Sequence, residues 1–216
     1  MKYTISTTSS DNPKASIKLI NSTTADYLHV DVMDGKFVGN KQYSVTDINK
    51  FEALSNKPLD IHLMVNNPLK YLEKIAFLNI AYLTFHLEAV VDVEAVIDAI
   101  KATGIKVGLS IKPNTDLKQL IPYLDQIDLI LLMSVEPGAG GQTFLPETVP
   151  RLSELKELTK NKNIIISIDG GINDETISLV KSADMVVIGS YLTNSNNYQA
   201  TMNHLNDILA CSINPD

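Results

Sequence analysis

Cysteine is nearly missing from this chain, with Cys211 the only one present. A lone thiol cannot pair within the chain, so a disulfide framework is excluded, a reducing compartment fits, and a thiol nucleophile is argued against. Long apolar runs are missing as well. None approaches the roughly 18 residues of a membrane span, and the opening MKYTISTTSS lacks the apolar core of a secretory signal. These absences predict a cytoplasmic protein without a membrane partner. Basic blocks are also lacking, and the net charge of −7 argues against nucleic acid. That acidity places no limit on a small anionic substrate, which backbone N–H groups and helix ends can hold locally. Finally, no polar linker or low-complexity tract divides the chain, so residues 1–216 are expected to form one domain.

What is present is an ordinary globular balance, 44% hydrophobic and 20% charged. Short apolar or β-branched runs alternate with helical patterns throughout, which predicts repeated βα units around a parallel sheet. About eight candidate strands are found, at 3–8, 27–32, 59–65, 81–88, 105–111, 127–135, 163–168 and 185–188, the number a closed barrel needs. Helices are expected after Asn12-Pro13 and Asn67-Pro68, where an N-cap precedes a proline. Others are expected at 92–101, through Leu117 to Leu124, from about Asn173, and from about Asn197 to Ala210. A doubly wound open sheet uses the same alternation. Special residues, however, stand at the ends of the second, third, fourth, sixth, seventh and eighth strands, whereas an open sheet concentrates them at one switch point. The expected fold is therefore α/β, a (β/α)8 barrel.

Within LHVDVMDGKFVGN, strand periodicity sets His29, Asp31 and Met33 on one face and Leu28, Val30 and Val32 on the other. Asp34-Gly35 then ends the strand with a turn dipeptide. His29 and Asp31, His62 from the third strand, and Asp169 after the seventh make a set of two nitrogens and two carboxylates. Such a set suits zinc, iron(II), manganese or cobalt better than magnesium or calcium. Met33, Met64 and Met133 come from three of the same strands and are expected at the same mouth, most simply as packing. His86 and Glu88 share a face and can support that site or form a satisfied core pair.

Glycine clusters follow the last three strands: Gly138 to Gly141 around Ala139, then Gly170-Gly171, then Gly189-Ser190. Barrels bind phosphate with such loops, since glycine lets backbone N–H groups approach the oxygens. A dinucleotide site is the rival, but Gly138 to Gly141 lacks GxGxxG spacing.

Taken in order, HVDVMDGKFVGN, DIHLMV, FHLEA, LLMSVEPGAGGQTF and IDGGIN resemble the ribulose-phosphate 3-epimerase family, over about residues 6–190. The resemblance implies a (β/α)8 barrel that interconverts D-ribulose 5-phosphate and D-xylulose 5-phosphate with one divalent metal. It implies His29, Asp31, His62 and Asp169 as ligands, Asp31 and Asp169 as the acid/base pair, and substrate contacts from Ser6 and His62. It further implies phosphate contacts from Gly138, Ala139, Gly140, Gly141, Gly170, Gly171, Gly189 and Ser190, and self-association of the chain. Three positions depart from the family pattern: Gly39, Glu136 and Ala139 stand where Pro, Asn and Phe are common. Glu136 adds negative charge beside the phosphate loop, which bears on substrate affinity. STTSS also replaces a more apolar opening, and the first helix is shorter. Three other readings compete: a D-allulose 6-phosphate epimerase, a non-catalytic sugar-phosphate binder, and a lyase using Lys112.

Overall fold

Each apolar run pairs with its neighbours in the computed structural model, which describes residues 1–213. Among these residues nine strands form one sheet. They are β1 (Lys2–Ser6), β2 (Tyr27–Asp34), β3 (Lys41–Gln42), β4 (Leu59–Met64), β5 (Ile80–His86), β6 (Lys106–Ile111), β7 (Leu129–Met133), β8 (Ile165–Asp169) and β9 (Met185–Ile188). The order β1-β9-β8-β7-β6-β5-β4-β2 returns to its start because β1 also pairs with β2. These eight strands are parallel and close the barrel, while β3 lies antiparallel on the end of β2. The expected (β/α)8 barrel is thus found. The last three residues of the expected domain lie outside the described residues.

Helices α1 (Pro13–Asn21), α2 (Val45–Leu54), α3 (Pro68–Ile75), α4 (Val93–Lys101), α5 (Thr148–Leu158), α6 (Ser190–Thr193) and α7 (Tyr198–Ile213) surround the sheet. Both Asn-Pro pairs cap as expected. Asn12 accepts from the Ala15 N–H and Asn67 from the Lys70 N–H, each at 3.2 Å, which satisfies donors that the helix itself cannot. Ser44 starts α2 with a reciprocal capping box to Asp47.

Two expected α-helices are 3₁₀ turns instead. Residues Leu117–Tyr123 contain Pro122, which cannot donate to the α-helical ladder. Ile177–Val180 follows Asn173, whose side chain accepts from the backbone N–H groups of Glu175 and Thr176. That local bond competes with helical pairing. Among the described residues no helix is long and apolar enough to cross a membrane.

The two strand faces part as their alternation demands. Leu28, Val30, Val32, Ile61, Leu63, Ile130 and Leu132 join the large cluster beneath the helices. Inside the barrel, Tyr82, Leu129, Leu131, Met185 and Val187 pack together. The interior is therefore a filled core, and chemistry is confined to the carboxyl ends of the strands.

Candidate metal centre and active-site cavity

Register brings the polar interior residues side by side. In the β2–β4 pairing His29 lies opposite Asp60 and Asp31 opposite His62. Asp169, the last residue of β8, approaches across the two strands β1 and β9. One donor atom from each of His29, Asp31, His62 and Asp169 falls within 4.8 Å of all the others. His29 Nε2 lies 3.1 Å from Asp31 Oδ1 and 3.9 Å from Asp169 Oδ2. His62 Nδ1 lies 3.2 Å from Asp31 Oδ1 and 3.5 Å from Asp169 Oδ2. Four convergent donors of mixed nitrogen and oxygen character suit a divalent transition metal.

The surroundings fix each group. His29 Nδ1 lies 2.8 Å from Asp60 Oδ2. The outer oxygen of Asp31 accepts from the hydroxyls of Ser6 (2.8 Å) and Thr8 (2.7 Å). His62 Nε2 lies 2.9 Å from His86 Nε2, and His86 Nδ1 lies 3.3 Å from Glu88 Oε2. His86 and Glu88 are thus partners of the site rather than a separate core pair. Sequence pattern alone assigns no role to Asp60 or Thr8. Asp60 shares a face with His62, but only register places it against His29.

Electrostatics follow from this packing. Burial opposes charge on the His29 ring, yet Asp31 and Asp60 push its pKa well above the usual imidazole value. His62 is likewise raised against burial by hydrogen bonds to Asp169 and Asp31. Burial also works against the Asp31 carboxylate, but the two imidazoles hold its pKa well below the usual range. For His86 burial wins, bringing it down to about 4. The Glu88 carboxylate, despite burial, is brought to about 2 by His86, the Lys112 N–H and Thr115.

The carboxylates of Asp31 and Asp169 open into a cavity of about 790 Å³, whose walls include Ser6, Met33, Met64 and Met133. His29 and His62 are buried behind the carboxylates. All three glycine clusters form the rim: Gly138, Ala139, Gly140 and Gly141 after β7, Gly170 and Gly171 after β8, and Gly189 and Ser190 at the start of α6. The Gln142 amide donates to the carbonyls of Glu136 (2.7 Å) and Ala139 (2.8 Å), holding the first loop in shape. Asn40 donates to the Gly138 carbonyl at 2.7 Å, so the loop after β2 leans on the same rim. Gly171 has φ +66°, and a Cβ there would sit 2.5 Å from the Phe144 nitrogen. Only glycine fits that bend. Glu136 is exposed and lines the cavity. Lys112 is not part of its wall; its ammonium lies 4.4 Å from the centre of the Phe37 ring.

Known proteins agree with this architecture. The model of the ribulose-phosphate 3 epimerase family matches residues 3–193. A ribulose-phosphate 3-epimerase of Mycobacterium tuberculosis (strain H37Rv) is 40% identical over 170 residues, covering 77% of this chain and 74% of that protein. The ribulose-phosphate 3-epimerase of Helicobacter pylori (strain J99) is 35% identical over 212 residues, covering 96% and 98%. In structure, KGPDC from Streptococcus mutans superposes with a TM-score of 0.70 over 97% of both chains at 13% identity, which speaks to the barrel alone. The match along nearly the whole barrel, at these identities and with the donor quartet assembled, places the chain in the ribulose-phosphate 3-epimerase family, a family of isomerases.

Proposed function

We propose that the protein interconverts D-ribulose 5-phosphate and D-xylulose 5-phosphate, with one divalent transition metal held by His29, Asp31, His62 and Asp169. The observation that carries this is the convergence of two carboxylates and two imidazoles at the floor of a cavity rimmed by glycine loops. Inverting a carbon beside a ketone requires removing a proton from one face and returning one to the other. Asp31 and Asp169 reach the cavity from strands separated by β1 and β9, so each can serve one face. A metal held by these four residues would supply positive charge to offset the negative charge left when a proton is removed beside the ketone. Ser6 and Thr8 orient Asp31 by their hydroxyls, and Ser6 lies where it can also meet the sugar. His62 is fully buried and not part of the cavity wall, so its place is at the metal position rather than against the sugar.

Glycine loops 138–141, 170–171 and 189–190 would receive the phosphate through backbone N–H groups. Zinc, iron(II), manganese and cobalt all accept this donor set. Cytoplasmic location and self-association belong to the same proposal, supported by family membership and by the lone thiol.

The test follows deuterium at carbon 3 in heavy water, with metal occupancy measured alongside. The parent should exchange and epimerise. Asp31→Asn and Asp169→Asn should each lose epimerisation, while exchange without inversion survives for one sugar and fails for the other, the preference reversing between variants. Near-parent epimerisation by either metal-loaded variant would refute the two-carboxylate mechanism. No exchange by the metal-restored parent would make the protein a sugar-phosphate binder, and faster turnover of D-allulose 6-phosphate would change the substrate.

A further inference from the structure

The His62 ring is held from both sides. Its Nδ1 faces Asp31 and Asp169, and its Nε2 faces Nε2 of His86 at 2.9 Å. Two imidazole nitrogens in such contact share one proton, so one ring donates and the other accepts. What decides the direction lies further out. His86 Nδ1 is 3.3 Å from Glu88 Oε2, and a carboxylate only accepts. Glu88 is itself anchored, because its Oε1 accepts from the Lys112 backbone N–H at 2.8 Å and from the Thr115 hydroxyl.

The direction then propagates inward. His86 donates from Nδ1 to Glu88, which leaves its Nε2 as an acceptor. His62 donates from Nε2 to that acceptor, so once the ring holds a single proton its lone pair is on Nδ1. We propose that Glu88 and His86 are positioning residues that hold His62 in the tautomer whose Nδ1 lone pair points at the metal position. This inference rests on His62 being a metal ligand.

The two imidazoles of the quartet are therefore set by different devices. His29 meets the carboxylate of Asp60 directly, at 2.8 Å. His62 lies opposite Thr84 of β5 and reaches its carboxylate through a second imidazole. Both His62 and His86 are fully buried, so water does not compete for these bonds. Phe37 packs on the His86 ring with centroids 4.8 Å apart, which restricts its rotation.

Glu88→Gln reads the direction. Two donors hold the Oε1 position, so the amide oxygen takes that place and the amide nitrogen faces His86. A donor there reverses the relay and puts a proton on His62 Nδ1. Zinc affinity, measured by competition with a chelator, should fall about 10- to 100-fold. Nitrogen-15 ring spectra of the metal-free protein, taken at a pH high enough to leave His62 with a single proton, should show that proton moved from Nε2 to Nδ1. His86→Gln offers a carbonyl to His62 and an amide N–H to Glu88, so it keeps the direction and should bind zinc nearly as the parent does. His86→Leu removes the acceptor and should bind zinc weakly. If Glu88→Gln does not fold, the contrast between the two His86 variants decides. A folded Glu88→Gln with parental zinc affinity and the proton still on Nε2 overturns the relay, as does equal weakening by His86→Gln and His86→Leu. A parent protein that binds no zinc refutes the metal site instead, and the ring spectra of the metal-free protein still judge the relay.

Discussion

Protons and a metal ion compete for the same lone pairs at His29 and His62. Burial resists charging either ring, but Asp31, Asp60 and Asp169 together raise both above the usual imidazole value, which is about 6.5. The metal-free rings therefore hold protons into a pH range where free histidine has lost them, and metal binding must displace them. Zinc affinity should accordingly fall as the pH drops, the decline beginning above about pH 6.5. Calorimetry in buffers of different ionisation enthalpy would count the protons released. Affinity that stays constant from about pH 8 to pH 6 would show that the rings are neutral before the ion arrives. The ligands themselves were legible from strand alternation, since residues two apart share a face. Asp60 was not: its task depends on lying opposite His29, and register is a property of two strands rather than one.

Among the elements, strands were read more faithfully than the segments between them. Apolar alternation is a local signal, and each of the eight barrel strands overlaps its expected range. The turns at Leu117–Tyr123 and Ile177–Val180 shared the apolar spacing of helices, but Pro122 and the Asn173 side chain decided their geometry. α2, α5 and the short β3 were not anticipated, although Ser44 and Asp47 carried the capping signal for α2. Gly108 shows how tightly neighbouring strands fit. It lies opposite Thr84 in the β5–β6 pairing, and a Cβ on it would meet the Thr84 Oγ1 at 2.0 Å and Cβ at 2.8 Å. Gly108→Ala should therefore cost about 1–3 kcal/mol through overpacking, read from urea unfolding. Pairing it with Thr84→Ala should return part of that loss, because residues in contact couple. Strictly additive effects would mean that the strain goes elsewhere.

For the molecule as a whole, the four donors span residues 29–169 and three strands, so only the closed barrel presents them together. A ligand that binds the native state alone stabilises it by about 2.7 kcal/mol at a hundredfold excess over Kd. For a chain of this size that raises Tm by roughly 5–11 °C. Calorimetric scans with zinc and with chelator should show this difference in the parent and a much smaller one in Asp169→Asn. An equal shift in both would place the ion elsewhere.

The closure of the barrel also imposes an order of events on a growing chain. β1 pairs with β2 on one side and with β9 on the other, joining residues 2–5 to residues 185–188. A ribosome that has delivered residue 169 has released every metal donor, yet the wall still lacks the strand that joins its two ends. Until that strand emerges the nascent barrel exposes two parallel edges, the template on which unfinished sheets recruit one another. The first strand made must wait for the last, and the interval between them is when the two open edges of the sheet can pair with another chain.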